Sequence, residues 1–139
     1  MHKALNYLAL ARKGGRSELG EEPVGAAARA VHAHLILVAA DASDHTWRRA
    51  KSFAAGTDQQ CIRTGFTKEE MGAAVGRTSL ALAAVTDPAL ALALVKSLPE
   101  PEKWEPAIQV LEEKTRRVRQ RQSEANAHRK NRRSGMKKN

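Results

Sequence analysis

A chain of 139 residues with a formal net charge of +9 and a single cysteine has room for one compact domain and an appendage, since a core of ordinary size needs roughly 100 residues. The lone Cys61 excludes an intramolecular disulfide and an all-cysteine zinc site, so no oxidising compartment is needed and a cytoplasmic location is expected. The apolar runs 35–40 and 80–85 are far shorter than the roughly 20 residues of a membrane helix, and no charged-then-apolar leader opens the chain, so a soluble protein with no membrane partner is expected.

The charge is unevenly placed. Residues 1–111 carry 13 Lys+Arg against 12 Asp+Glu, whereas residues 112–139 carry 11 against 3. A nearly neutral body with a basic arm suits a protein that touches a polyanion, most commonly nucleic acid. A membrane surface fits less well, because the arm offers little beyond Val118 to bury among headgroups.

In chain order, residues 3–13 predict a helix with Leu5, Leu8 and Ala11 on one side, ended by Gly14 and Gly15. Residues 16–19 suit a short edge strand. Glu21, Glu22 and Pro23 have the character of a first helical turn, in a helix reaching about Val31 with Gly25 permitting close packing. The unbroken apolar run 35–39 predicts a central strand covered on both faces. Ser43 or Asp44 then caps a helix to about Ala54, with Trp47, Ala50 and Ala54 at core spacing and Gly56 closing it. Residues 60–64 form a weak strand, and Thr67 with Glu70 makes a capping box that opens a short helix to about Val75. Residues 80–85 predict a second buried strand, and Asp87 with Pro88 opens a helix that is apolar on most sides. Strands alternating with helices give an α/β fold, a three-layer α/β/α sandwich over residues 1–98. Residues 99–111 then form a Pro-containing connector and the start of a helix striped by Trp104, Ile108 and Leu111. Residues 112–139 form a basic tail, helical to about Arg121 and disordered afterwards.

Little in the chain points to catalysis. His32 and His34 share a strand face but lack a third ligand, so no metal is expected. Cys61 has no neighbouring histidine and suits a small buried hydrophobe. Asp41, Asp44 and Asp87 stand at strand ends, where catalytic acids can occur, but two of them have the character of helix caps and capping is the better explanation. Gly14, Gly15 and Gly20 lack the spacing of a phosphate loop or dinucleotide fingerprint, so no cofactor is expected. Instead, the basic glycine turn 12–16 running into the helix start at Gly20 offers a close backbone and unpaired N–H groups to an anion or base edge.

Four pieces in order resemble the kink-turn-binding ribosomal proteins of the L-seven-Ae type, most closely their small bacterial branch. They are LALARKGG at 8–15, the Gly-Glu-Glu at 20–22, LILVAADASDHT at 35–46, and MGAAVG at 71–76 followed by Ala84-Val85-Thr86-Asp87. The resemblance covers residues 3–98. It implies a four-stranded mixed sheet, no catalysis, and RNA held at one end of the domain. There the helix start reads sheared G·A pairs and the loop before the last strand packs on an extruded nucleotide. By position these contacts fall on Gly20, Glu21 and Glu22, and on Arg77, Thr78 and Ser79. Arg12, Lys13, Arg16 and Arg29 would line the path of the RNA backbone. Pro23, Gly25 and Ala26 stand where many members place a glutamate or glutamine, a branched residue and a lysine.

In the tail, Arg116, Arg117, Arg119, Arg121, Arg129, Lys130, Arg132 and Arg133 are expected to contact phosphates and make affinity salt-sensitive, within a basic stretch that opens at Lys114. The expected partner is ribosomal or other structured RNA, with ribosomal proteins as neighbours and a monomer when free. The competing expectation is a protein-interaction module of the same fold that no longer reads RNA. An enzyme ranks third: some RNA methyltransferases carry a similar sandwich, but this chain leaves no room for their catalytic domain.

Overall fold

The computed structural model describes the backbone of residues 1–137 and the side chains of residues 1–131. Its elements are α1 (Lys3–Lys13), β1 (Ser17–Leu19), α2 (Glu21–Arg29), β2 (Leu35–Val38), α3 (Asp44–Ala54), β3 (Gln60–Arg63), α4 (Lys68–Ala74), β4 (Leu82–Val85), α5 (Pro88–Lys96), a 3₁₀ turn (Pro101–Trp104) and α6 (Glu105–Lys137). The local signals act where they stand. Ser43 Oγ accepts from Thr46 N–H at 3.1 Å, Asp87 caps α5 through Leu90 N–H at 2.9 Å, and Thr67 and Glu70 close a reciprocal capping box on α4.

The sheet is mixed, in the order β1-β4-β2-β3. β4 runs antiparallel to both β1 and β2, and β3 is parallel to β2. Every residue of β2 and β4 is buried, as expected of central strands covered on both faces. Helices α2 and α3 pack together, while α1 groups with α4 and α5. The resulting α/β sandwich closes on Leu8, Val24, Leu35, Ile36, Met71, Leu82, Leu94 and Val95, all essentially inaccessible.

The apolar character of α5 on most sides has a specific cause, because α1 covers one flank and α6 another. α6 runs back along α5: Glu112 pairs with Lys96 at α5's end, and Val118 reaches Pro88 at its start. Leu111, Lys114 and Thr115 are buried in that contact, so the body extends to about residue 115 rather than ending at 98. Trp104 lies in the 3₁₀ turn ahead of the helix it was expected to stripe. α6 also continues to Lys137 instead of ending near Arg121. Residues 107–134 contain no Gly or Pro and are rich in Arg, Gln, Glu and Ala, and the pairs Glu113–Arg117 and Gln120–Glu124 bridge successive turns. Among the described residues, no helix is long and apolar enough to cross a membrane.

Candidate nucleic-acid interface

β1, β2 and β3 finish at one end of the sheet and β4 begins there, so α2, α3 and α4 all start at that end. Gly20 is the N-cap of α2, with φ +96°, a backbone conformation that side-chain-bearing residues avoid. Its N–H donates to the Leu82 carbonyl at 2.9 Å, which ties the start of α2 to the start of β4. Ser43 and Thr67 cap α3 and α4 with side chains, whereas Gly20 supplies none to α2. The first turn of α2 therefore keeps its N–H dipoles for a ligand, except at Pro23, which has no N–H.

Residues 77–79 are exposed and lead into the head of β4, at the same end as this helix start. Arg77 N–H donates to Gly72 O at 2.8 Å, and Leu80 N–H to Lys68 O at 2.9 Å, so both ends of the loop are stitched to α4. Gly72 makes the approach possible. A Cβ there would stand 2.7 Å from Arg77 O and 2.8 Å from Ser79 N. Gly20, Glu21, Glu22, Arg77, Thr78 and Ser79 thus share one end of the domain. Arg49 joins them from α3: its Nε donates to Glu21 Oε1 at 2.5 Å, and its guanidinium lies 5.4 Å from the Phe53 ring centre. This pairing offsets a carboxylate that would otherwise repel phosphate. Nothing local to Arg49 in the sequence points to this role, because only the packing of α3 on α2 brings it to Glu21. Asp41 is a tether in the same region, accepting from Lys68 N–H at 2.8 Å.

Arg12, Lys13, Arg16 and Arg29 do not flank this cluster, contrary to the sequence expectation. α1 starts near the cluster, where His2 packs 5.1 Å from the Phe66 ring, and delivers Arg12 and Lys13 to the opposite end of the sheet. Arg16 precedes β1, and the extended chain to Gly20 spans about 13 Å at roughly 3.3 Å per residue. There Arg16 Nη1 pairs with Asp87 Oδ1 at 3.3 Å. Arg29 ends α2 and its guanidinium lies back toward Gly25. Neighbours in sequence are therefore separated by the length of the sheet.

Lys114 is also reassigned. Its Nζ is 3.0 Å from Asp58 Oδ1 and 3.1 Å from His34 Nδ1, with its side chain only 10% exposed, so it clamps α6 to the body instead of facing phosphate. An ammonium only donates, which makes Nδ1 the lone-pair nitrogen of His34. The His34 pKa is lowered from its ordinary 6.5, first by burial and then by Lys114. The folded imidazole therefore binds fewer protons than the unfolded one below about pH 6.5, and stability falls as pH drops. Asp58, lowered from 3.8 chiefly by its hydrogen bond from Lys114, adds a second loss below pH 3.8. Thermal unfolding is expected to be flat in pH between about 7 and 8 and to shift downward as pH drops below about 6.5. His34→Gln should flatten that window, and an unchanged slope would assign the pH dependence elsewhere.

Arg116 and Arg117 share Glu113 at 2.7 and 3.3 Å, while Arg119, Arg121, Arg129 and Lys130 are exposed. The side chains of Arg132 and Arg133 lie outside the described residues. Cys61 is half-buried and its thiol is pushed up to about 11 by burial, which leaves it protonated and weakly nucleophilic at neutral pH. No group of three potential metal ligands stands together among the described residues.

No family model matches the chain, and neither does a curated protein. Among solved structures it is similar to a protein of unknown function from Bacillus halodurans C, with TM-score 0.67 and 23% identity over 72% of this chain and all of that one. At that identity the likeness concerns the fold alone.

Proposed function

We propose that the chain is a non-catalytic, cytoplasmic RNA-binding protein that recognises structured, kink-turn-like RNA, is associated with the ribosome and is a monomer when free. The observation that carries this is that the uncapped start of α2 and the exposed loop 77–79 share one end of the domain, where the bond from Gly20 to Leu82 ties α2 to the strand the loop leads into. A helix start that offers N–H groups, with a solvent-facing loop at the same end, can read opened base edges and cover an unstacked nucleotide, features that irregular RNA presents and straight duplex does not. The basic α6 adds a salt-sensitive attraction for RNA long enough to reach it.

The test compares a kink-turn RNA with a straight duplex of equal length at moderate salt. The kink-turn is expected to bind at least tenfold more tightly, and Arg77→Ala to reduce that preference. Equal affinity for the two would remove kink-turn recognition and leave general RNA binding. Binding to neither would favour the protein-interaction module instead.

A further inference from the structure

We propose that the end of the domain opposite the α2 start carries a second, separate RNA contact, formed by Arg16 and residues 117–121 of α6, so that one chain holds two RNA segments. The choice of polyanion rests on the RNA-binding function proposed above, whereas the existence of the surface does not.

Three observations converge on this end. The first is an exposed apolar ridge. Val31 is 48% exposed and Val118 is 36% exposed, and the two flank a groove that also touches Pro88. Val31 has φ +58°, a left-handed conformation that a β-branched residue adopts only under strain. The turn after α2, where His32 N–H donates to Ala27 O at 2.9 Å, is a place where glycine is the usual occupant. A valine held there leaves about half its surface in water, open to a partner.

The second observation is the distribution of arginines about that ridge. On one side, Arg16, Asp87, Val118, Arg119 and Gln122 line a groove of about 190 Å³. On the other, Val31, Asp58, Lys114, Arg117, Val118 and Arg121 line one of about 200 Å³, in which the Asp58 carboxylate is held by Lys114. Both are small for a drug-sized organic ligand, which takes roughly 300–1,000 Å³, but each suits a phosphodiester group. Arg117 and Arg121 are one helical turn apart on one flank, and Arg119 stands on the other. From 116 to 131 the helix carries six Arg and Lys against one acid, Glu124. Among the described side chains, Arg119 and Arg121 form no ion pair within the protein. Ribose on the ridge with phosphates to either side fits this pattern of an apolar strip flanked by cations.

The third observation is rigidity. Lys114 bridges to Asp58 and His34 one turn before Val118, and Thr115 Oγ1 donates to Leu111 O at 2.7 Å inside the same contact. The backbone that carries the arginines is thus held on a docked helix, so binding has only their side chains to order. Their position, across the sheet from Gly20 and Arg77, separates this surface from the first.

The experiment uses the full chain and two differently labelled RNAs, a kink-turn stem and an unstructured 12-nucleotide oligouridine, at moderate salt. Simultaneous binding in a 1:1:1 complex is expected. The variant R117Q/R119Q/R121Q, exposed and helix-compatible at all three positions, should lose at least tenfold in oligouridine affinity. The slope of log affinity against log salt should fall by about two, at roughly 0.7 per single-strand phosphate. Affinity for a kink-turn stem too short to reach α6 should stay within twofold. Arg77→Ala should do the reverse. One-for-one displacement of either RNA by the other, an unchanged oligouridine slope in the triple variant, or equal displacement by polyglutamate would each overturn the proposal. If the kink-turn stem fails to bind, the function assigned to the α2 end falls alone, and the effect of the arginine variant on oligouridine still decides the second site.

Discussion

Gly72→Ala is expected to weaken kink-turn RNA binding by at least tenfold and to lower unfolding free energy by about 1–2 kcal/mol. Alanine in a helix interior normally gains about 1 kcal/mol over glycine, so the sign here depends on the surroundings. The new Cβ would stand 2.7 Å from Arg77 O, 2.8 Å from Ser79 N and 2.9 Å from Ser79 Cα. All three are backbone atoms, and a side-chain rotation cannot relieve them. The loop has to move, and with it the solvent-facing edge that Arg77, Thr78 and Ser79 present at the same end as Gly20. Oligouridine binding at the other end should persist, which separates a displaced loop from an unfolded domain. Unchanged kink-turn affinity would remove this loop from the interface.

Leu111→Ala is expected to cost about 2–5 kcal/mol, a large share of the 5–15 kcal/mol typical of a domain. Leu111 is fully buried where α6 lies on α5. The loss should appear as a thermal midpoint lower by roughly 10 °C and as faster amide exchange through residues 105–118, ahead of the central strands. Because Lys114 follows Leu111 by less than a turn, the same variant should loosen the arginines at 117–121 and reduce oligouridine affinity. Slow exchange retained in α6 would mean that Leu111 does not hold the helix.

Much of the fold was legible because its signals are local. The buried runs of β2 and β4, the capping box at Thr67 and Glu70, the Asp87–Pro88 helix start and the stop at Gly14 each depend on residues within about four positions of one another. The candidate site was legible in half. Gly20–Glu22 and residues 77–79 do share one end of the domain, whereas Arg12, Lys13, Arg16 and Arg29 go to the far end. Arg49 was missed because its partner, Glu21, is 28 positions away.

The sequence by itself determined the order and type of the elements, the split of charge between body and α6, and the glycines where the backbone turns. Only the tertiary structure decided which charges face solvent together. Three residues of β1 carry the chain across the sheet, so a basic turn and a helix start that read as one corner become opposite ends. Lys114 belongs by composition to the basic tail, yet His34, 80 positions earlier, fixes it in the body. Periodicity and capping act over one or two helical turns, whereas ion pairs and loop contacts depend on where distant segments pack. For that reason the chain's local pattern specified its elements, and packing specified its surfaces.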